Sequence, residues 1–114
     1  MLPRRLRLTS DREIRETINS KTFYTRTPLF SLSASPNNGA FSRLAVVTSR
    51  KVGPAVVRNR LRRLFKSAFL RISDNIGKNI DIVLFPRSTA LPYKAQKLAE
   101  DLEKSLMKAL HVNQ

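Results

Sequence analysis

The residues with the clearest chemical signal form one run of positive charge, 50–71, that contains no carboxylate. Arginine dominates the run, and its planar guanidinium can hold two oxygens of a phosphate at once. Asn59 adds a neutral donor and acceptor that suit a base edge or a ribose hydroxyl. The run therefore predicts a nucleic-acid-binding surface made of Arg50, Lys51, Arg58, Asn59, Arg60, Arg62, Arg63 and Lys66.

Side chains that could carry out catalysis are not grouped in this sequence. There is no cysteine, no phosphate-binding glycine loop and no nucleophile elbow, and the one histidine, His111, lies near the C-terminus. Asp81 alone would make a poor magnesium site, so we interpret it as a residue at a strand edge. We predict no catalytic residue and no metal site in the protein.

The balance of charge along the chain restricts its partner. The 114 residues include 22 basic and 8 acidic side chains, and no carboxylate occurs between Thr17 and Ser73. Pairing within the chain cannot neutralise the resulting formal charge of +14, so a polyanion is the expected partner. The N-terminus lacks the apolar stretch of a secretory signal, and no apolar run approaches the roughly 20 residues of a membrane span. We therefore expect a cytoplasmic protein without a membrane partner.

A short helix is predicted close to the N-terminus. Ser10 and Glu13 match a capping box, in which a serine hydroxyl and a glutamate carboxylate satisfy the first free amides of a helix. Ile14 and Ile18, one turn apart, predict its buried face, and the helix is expected to end near 19–21.

Three strands are predicted from apolar runs bounded by turn residues. The first lies in the loosely alternating segment 23–33 and is centred on 29–32, and the second covers 41–48, with a turn-rich segment at 35–39 between them. This spacing predicts a hairpin of the two strands. A third strand is expected over 80–85.

The basic run is predicted to lie on a long helix from about 55 to 71, opened by Gly53 and Pro54. At 100° per residue from Val57, the apolar residues fall on one side of this helix and the arginines on the other. An amphipathic helix from 92 onward completes the order αββαβα.

Helices and sheet of this order must share one core, which predicts a two-layer α/β (α+β) sandwich. The length favours a single domain, 1–114, with flexible ends at 1–8 and 111–114.

The segment 49–69, SRKVGPAVVRNRLRRLFKSAF, resembles the signature of the bacterial ribonuclease P protein subunit. The centre of that signature is an Arg-Asn-Arg motif, here 58–60, and its approach matches 51–56. The resemblance extends over most of the chain: 2–8 look like the opening of the family, and 82–93 look like its third strand and the loop into the last helix.

The resemblance implies a fold, a partner and a division of labour. The fold would be ribosomal-protein-S5-domain-2-like, with a left-handed βαβ crossover. The partner would be a catalytic RNA, with one protein per RNA, that removes the 5′ leader from precursor tRNA. The protein would be an accessory subunit of this endoribonuclease and would bind no cofactor alone, while Mg²⁺ would be required by the RNA–protein holoenzyme.

The resemblance also implies that the leader lies in a cleft between the first helix and the sheet. The family commonly has Phe at two cleft positions where this chain has isoleucine, which cannot stack on bases. Simple core packing is the alternative role for these two isoleucines. The candidates for leader contact are Ile14, Ile18, Phe30, Phe41 and Arg87, with Phe85 as a further aromatic residue.

Two other classes of protein would have similar composition. A ribosomal or other structural RNA-binding protein could carry the same charge, and the signature at 49–69 is what favours ribonuclease P over it. A DNA-binding architectural protein is disfavoured, because the basic helix follows a strand and has no helix-turn-helix partner.

Overall fold

The computed structural model describes residues 2–76 and 79–112, with side chains as far as Lys108. Three helices and a four-stranded sheet form an α+β fold, as predicted. Short 3-10 turns cover Arg4–Leu6, Arg50–Val52, Ser73–Asn75 and Ser88–Ala90. The main elements are α1 (Asp11–Asn19), β1 (Phe23–Arg26), β2 (Phe30–Pro36), β3 (Arg43–Val46), α2 (Ala55–Ile72), β4 (Ile80–Pro86) and α3 (Ala95–Val112).

The predicted order αββαβα is wrong by one strand, because the first predicted strand is two. Thr27 and Pro28 break it: Pro28 has no amide hydrogen, and the Thr27 hydroxyl accepts hydrogen bonds from the amides of Leu29 (3.1 Å) and Phe30 (3.0 Å). A tight turn results, and β1 and β2 pair as an antiparallel hairpin. The observed order is αβββαβα.

The predicted hairpin between β2 and β3 is also wrong. The sheet order is β1-β2-β4-β3, so the last strand of the chain lies between the two strands expected to pair. β4 is antiparallel to β2 and parallel to β3. β3, α2 and β4 therefore form a βαβ unit, for which the left-handed crossover and the ribosomal-protein arrangement stay predictions.

Strict alternation along β2 gives the sheet two different faces. Phe30, Leu32 and Ala34 are buried in the main core, whereas the serines between them point to the opposite face. β4 alternates in the same way, with Ile82 and Leu84 in the main core. The main core lies between this face and the two long helices, and α1 lies on the serine face of the sheet.

The main core is closed by α2 and α3. The Phe65 ring of α2 meets the Phe30 ring edge to face, with centroids 5.7 Å apart. Leu61 is fully buried, as its place on the predicted apolar side requires. α3 contributes the buried Leu98, Leu102 and Leu106. No helix within 2–76 or 79–112 is long and apolar enough to cross a membrane.

The N-terminal segment, expected to be extended and flexible, packs against the fold. Leu2, Leu6 and Leu8 are buried, and Arg4–Leu6 forms a 3-10 turn instead of extended chain. The Leu8 amide donates to the Leu44 carbonyl at 2.9 Å, so the segment covers the outer edge of β3. The flexibility of 1–8 stays a prediction. The other expected flexible end, 111–114, lies outside the described side chains.

Candidate nucleic-acid interface

The turn before α2 fixes where the basic helix begins. Gly53 has φ 153°, a conformation that other residues rarely adopt, and a Cβ atom there would lie 3.1 Å from Val57 Cγ1. The Pro54 carbonyl accepts from the Arg58 amide at 3.0 Å, which starts the helix at the predicted place. Arg50 and Lys51 are exposed immediately before this turn.

The basic side chains of α2 fall into two groups. Asn59, Arg60 and Arg63 are exposed, whereas Arg58, Arg62 and Lys66 are half-buried. The buried residues of α2 are all apolar, as predicted, but the second group lies at the border of the core and not fully in solvent. The buried arc of the helix is centred about 60° round from Val57, because the core also takes Phe69. Arginine and lysine tolerate such positions by burying their stems and leaving the head groups in water.

Two arginines of α2 have distinct surroundings. Arg62 Nη1 donates to Thr48 Oγ1 at 2.6 Å, and Nη2 donates to Asn59 Oδ1. The Arg62 guanidinium is therefore tied to the chain that leaves β3. The Nε atom of Arg58 is buried and has no hydrogen-bond partner among the residues the structure describes. Because this atom is buried, its unused donor is not accessible to a partner from outside the chain.

Further basic residues lie at the end of the sheet from which the chain enters α2. β1 ends at Arg26, β4 is followed by Arg87, and β3 leads to Arg50 and Lys51. The strand pairings place these three chain ends at one end of the sheet. We call this set of four residues the basic rim. It joins the arginines of α2 to the sheet face on which α1 lies.

The opposite end of the sheet is held by an ion-pair network around Arg43 of β3. Arg43 Nε and Nη2 donate to the two carboxylate oxygens of Asp81 at 2.9 and 2.8 Å. Arg43 Nη2 also donates to Glu13 Oε2 at 2.8 Å, which connects α1 to the sheet. Asn37 Nδ2 supplies Asp81 with a further bond of 2.8 Å. We call these four residues the Arg43 clamp.

The clamp alters two expectations about its carboxylates. The Ser10 hydroxyl caps α1 by accepting from the Glu13 amide at 3.3 Å, but the Glu13 carboxylate binds Arg43 instead of completing the capping box. The hydrogen bond from Arg43 lowers the pKa of Glu13 below its ordinary 4.5, and hydrogen bonds to Asp81 and Glu13 raise the pKa of Arg43. Asp81 lies in the central strand, so its interpretation as an edge residue is wrong.

The two isoleucines lie on the side of α1 that faces the sheet, where the leader cleft was predicted. Ile14 and Ile18 are half-buried and pack against a second apolar cluster whose buried members are Leu8, Ala45 and Val83. They contribute to packing and remain partly accessible. Phe85, also half-buried, belongs to this cluster and lies on the sheet side of the cleft.

The remaining leader candidates are not brought together. Phe30 is fully buried in the main core, so its prediction as a cleft residue is wrong. Phe41 is 46% exposed in the loop before β3, where the Arg5 guanidinium lies 5.5 Å from its ring centroid. Phe41 is not part of the apolar cluster that contains Ile14 and Ile18. Arg87 is half-buried after β4, and its amide donates to the Leu29 carbonyl at 3.0 Å.

The sequence reasoning missed Tyr24 of β1. Tyr24 pairs with Ser33 of β2 on the α1 side of the sheet and is 51% exposed. Its strand was not distinguished from β2 in the sequence, so the alternation that places Phe23 and Tyr24 on opposite faces of the sheet was not recognised.

The acidic and imidazole side chains of the described part of the chain form no group of three that could hold a metal ion. Glu13 of α1 and Asp81 of β4 share Arg43 between them. A cation at this place would have to displace the guanidinium. These two carboxylates therefore have a structural role.

Comparisons with known proteins point to one family. A protein-family model described as Ribonuclease P matches residues 2–110. The chain is 33% identical over 73 residues to the Ribonuclease P protein component of Caldanaerobacter subterraneus, and 37% identical over 71 residues to that of Clostridioides difficile. These alignments cover 64% and 61% of the chain and 63% and 59% of the relatives, so less than two thirds of each relative is matched.

Solved structures extend the likeness to nearly the whole fold. The chain superposes on the RNase P protein of Thermotoga maritima with a TM-score of 0.78 at 28% identity, over 90% of this chain and 96% of that one. Against the RNase P protein of Staphylococcus aureus the TM-score is 0.72 at 21% identity, over 91% and 94% of the two chains. The second likeness shows the fold alone.

Proposed function

Because the chain belongs to the Ribonuclease P protein family, we propose that it is the RNA-binding subunit of ribonuclease P. In this role it binds the catalytic RNA and the 5′ leader of precursor tRNA, and assists endonucleolytic removal of the leader in the cytoplasm. The observation that carries the proposal is the helix α2, whose charged side chains are all basic and whose other side packs into the core.

The catalytic RNA binds to the exposed side of α2. Arg60 and Arg63 point away from the core and are free to make two-oxygen contacts with phosphates. Arg62 is held in place by Thr48, so its guanidinium loses little freedom when RNA binds. Arg58 is half-buried, so it contributes charge from the border between the core and this side of α2. Asn59 and Lys66 complete the surface, and Arg50 and Lys51 extend it before the helix.

The leader occupies the cleft between α1 and the sheet. The basic rim is continuous with the RNA-binding side of α2, so a strand that leaves the catalytic RNA meets positive charge up to the mouth of the cleft. Phe85 offers the aromatic surface on the cleft floor that Ile14 and Ile18 cannot provide. Arg87 lies at the same end of the sheet and suits a leader phosphate.

Cleavage is assigned to the RNA, and the protein contributes binding and charge. Arg43 occupies the position between Glu13 and Asp81 and serves the fold there. We assign the Mg²⁺ requirement to the RNA–protein holoenzyme, with one protein per RNA. A chain of formal charge +14 reduces the repulsion between the catalytic RNA and the leader, which lowers the Mg²⁺ concentration that the reaction needs.

The test is cleavage of precursor tRNA by the catalytic RNA at low Mg²⁺, with and without the protein. We expect stimulation by the wild-type protein and its loss in the double variant Arg60→Ala/Arg63→Ala. The double variant Lys104→Ala/Lys108→Ala removes the same charge from exposed positions on α3 and should stimulate normally. RNA binding without any stimulation by the wild-type protein would reject the proposal in favour of a structural RNA-binding protein.

A further inference from the structure

An exposed aromatic side chain lies on the α1 side of the sheet, at its outer strand. Tyr24 is 51% exposed on β1, the strand at the end of the order β1-β2-β4-β3. Its neighbours along β1, Phe23 and Thr25, pair with residues of β2 that face the main core. Tyr24 itself pairs with Ser33 and therefore shares the face on which α1 and Phe85 lie.

A path of small side chains joins Tyr24 to the cleft. On this face β2 presents only serines, at positions 31, 33 and 35, and Ser31 pairs with Phe85 of β4 on one side and Arg26 of β1 on the other. Neighbouring strands are about 4.8 Å apart, so β4 and β1 are separated by about 10 Å. Ser33 is buried, whereas Ser31 is half-buried, so the accessible crossing of β2 lies at Ser31, between Phe85 and the end of β1.

Two basic residues, Lys21 and Arg26, lie at the outer end of this path. Lys21 Nζ lies 5.8 Å from the centroid of the Tyr24 ring, and Arg26 is exposed two residues further along β1. Cation–π contacts at exposed sites are weak, so a nucleobase can replace the ammonium group over the ring. The displaced Lys21 and the free Arg26 would then lie beside the phosphates of the same strand.

We propose that Tyr24 is an outer stacking position for the leader, which crosses the sheet from Phe85 over Ser31 of β2 to β1. The proposal rests on the function proposed above and adds the direction of the leader and its second aromatic contact. It also accounts for the absence of aromatic residues from α1: the rings that can stack on bases lie on the strands, and Ile14 and Ile18 form only the apolar wall.

The experiment measures the affinity of the reconstituted holoenzyme for precursor tRNAs whose leaders are lengthened one nucleotide at a time. Removing one stacking residue costs about 1–3 kcal/mol per base, which converts to a loss of about 5- to 150-fold, and an exposed ring should lie at the lower end. We expect Tyr24→Ala to weaken long-leader binding by about 5- to 10-fold and to leave the shortest leaders unchanged. Tyr24→Phe should retain the affinity, because its ring remains.

Two controls separate stacking from other causes. Tyr24→Leu keeps apolar bulk without an aromatic face and should behave as Tyr24→Ala does. Tyr93→Ala removes a tyrosine of similar exposure, 42%, in the segment before α3 and should leave every leader unaffected. If the wild-type protein gives no leader-length dependence, the leader role proposed above is wrong. If it does and Tyr24→Ala follows the same curve, only the stacking position is overturned.

Discussion

Replacing Arg43 by methionine tests whether the Arg43 clamp holds α1 to the sheet. Methionine keeps the apolar stem and removes every hydrogen bond to Asp81 and Glu13. The Asp81 side chain is 11% exposed, so it would be left as a nearly buried carboxylate with one described donor, Asn37. A buried carboxylate without its partner destabilises the fold by more than the intact ion pair stabilises it.

The magnitude follows from this burial. Removing one partner of a fully buried pair costs about 3–5 kcal/mol. The Arg43 side chain is 29% exposed, so water reaches the site and the cost falls to about 2–3 kcal/mol. For a domain of this size the melting temperature should fall by about 8–12 °C.

The assay is urea and thermal unfolding of the free protein, followed by circular dichroism. The matched control is Arg12→Met, which breaks an i,i+4 pair with Glu16 whose side chains are 83% and 59% exposed. Such a pair contributes less than about 0.5 kcal/mol. If Arg43→Met loses no more stability than Arg12→Met, the clamp does not hold the fold and the reasoning from Asp81 burial is refuted.

Four further predictions concern single features. Leu61→Ala should cost about 2–5 kcal/mol of unfolding free energy in urea, and a cost below about 1 kcal/mol would contradict its full burial. Gly53→Ala should cost about 1–3 kcal/mol in the same assay, since its φ of 153° strains any other residue, and an unchanged midpoint would contradict this. Arg43 lowers the pKa of Glu13, so the Glu13 carboxylate stabilises the fold above pH 4.5 and this stabilisation is lost as the pH falls through the folded-state pKa. Glu13→Gln should therefore make the free energy of unfolding depend less on pH in this range. An equal pH dependence of the variant and the wild-type protein would contradict this. Arg60→Ala should reduce by about 1 the slope of log binding constant against log salt for the catalytic RNA, and an unchanged slope would mean that this side of α2 does not bind it.

The helices were predictable because their signals are local. The capping serine of α1, the turn before α2 and the apolar spacing of α3 all lie within a few residues of the element they define. The basic surface followed for the same reason. The half-buried places of Arg58 and Arg62 did not follow, because they depend on which side of α2 the sheet and α3 cover.

The sheet order could not be read from the sequence, since β4 pairs with strands far from it along the chain. The burial of Phe30, in contrast, could have been predicted from the sequence. Phe30, Leu32 and Ala34 alternate with serines, and this alternation alone places Phe30 with the core. The place of Phe85 on the opposite face follows only from the register of β4, which pairs it with Ser31.

The central place of β4 has a consequence for how the protein is made. β2 and β3 precede α2 in the chain, yet each pairs with β4, which follows α2. During synthesis the β1–β2 hairpin, β3 and the basic helix all leave the ribosome before the strand that joins them. Pairings between distant segments form slowly, so we expect the sheet to close in one late step. RNA that binds the chain before this step binds a basic helix that does not yet pack against the sheet.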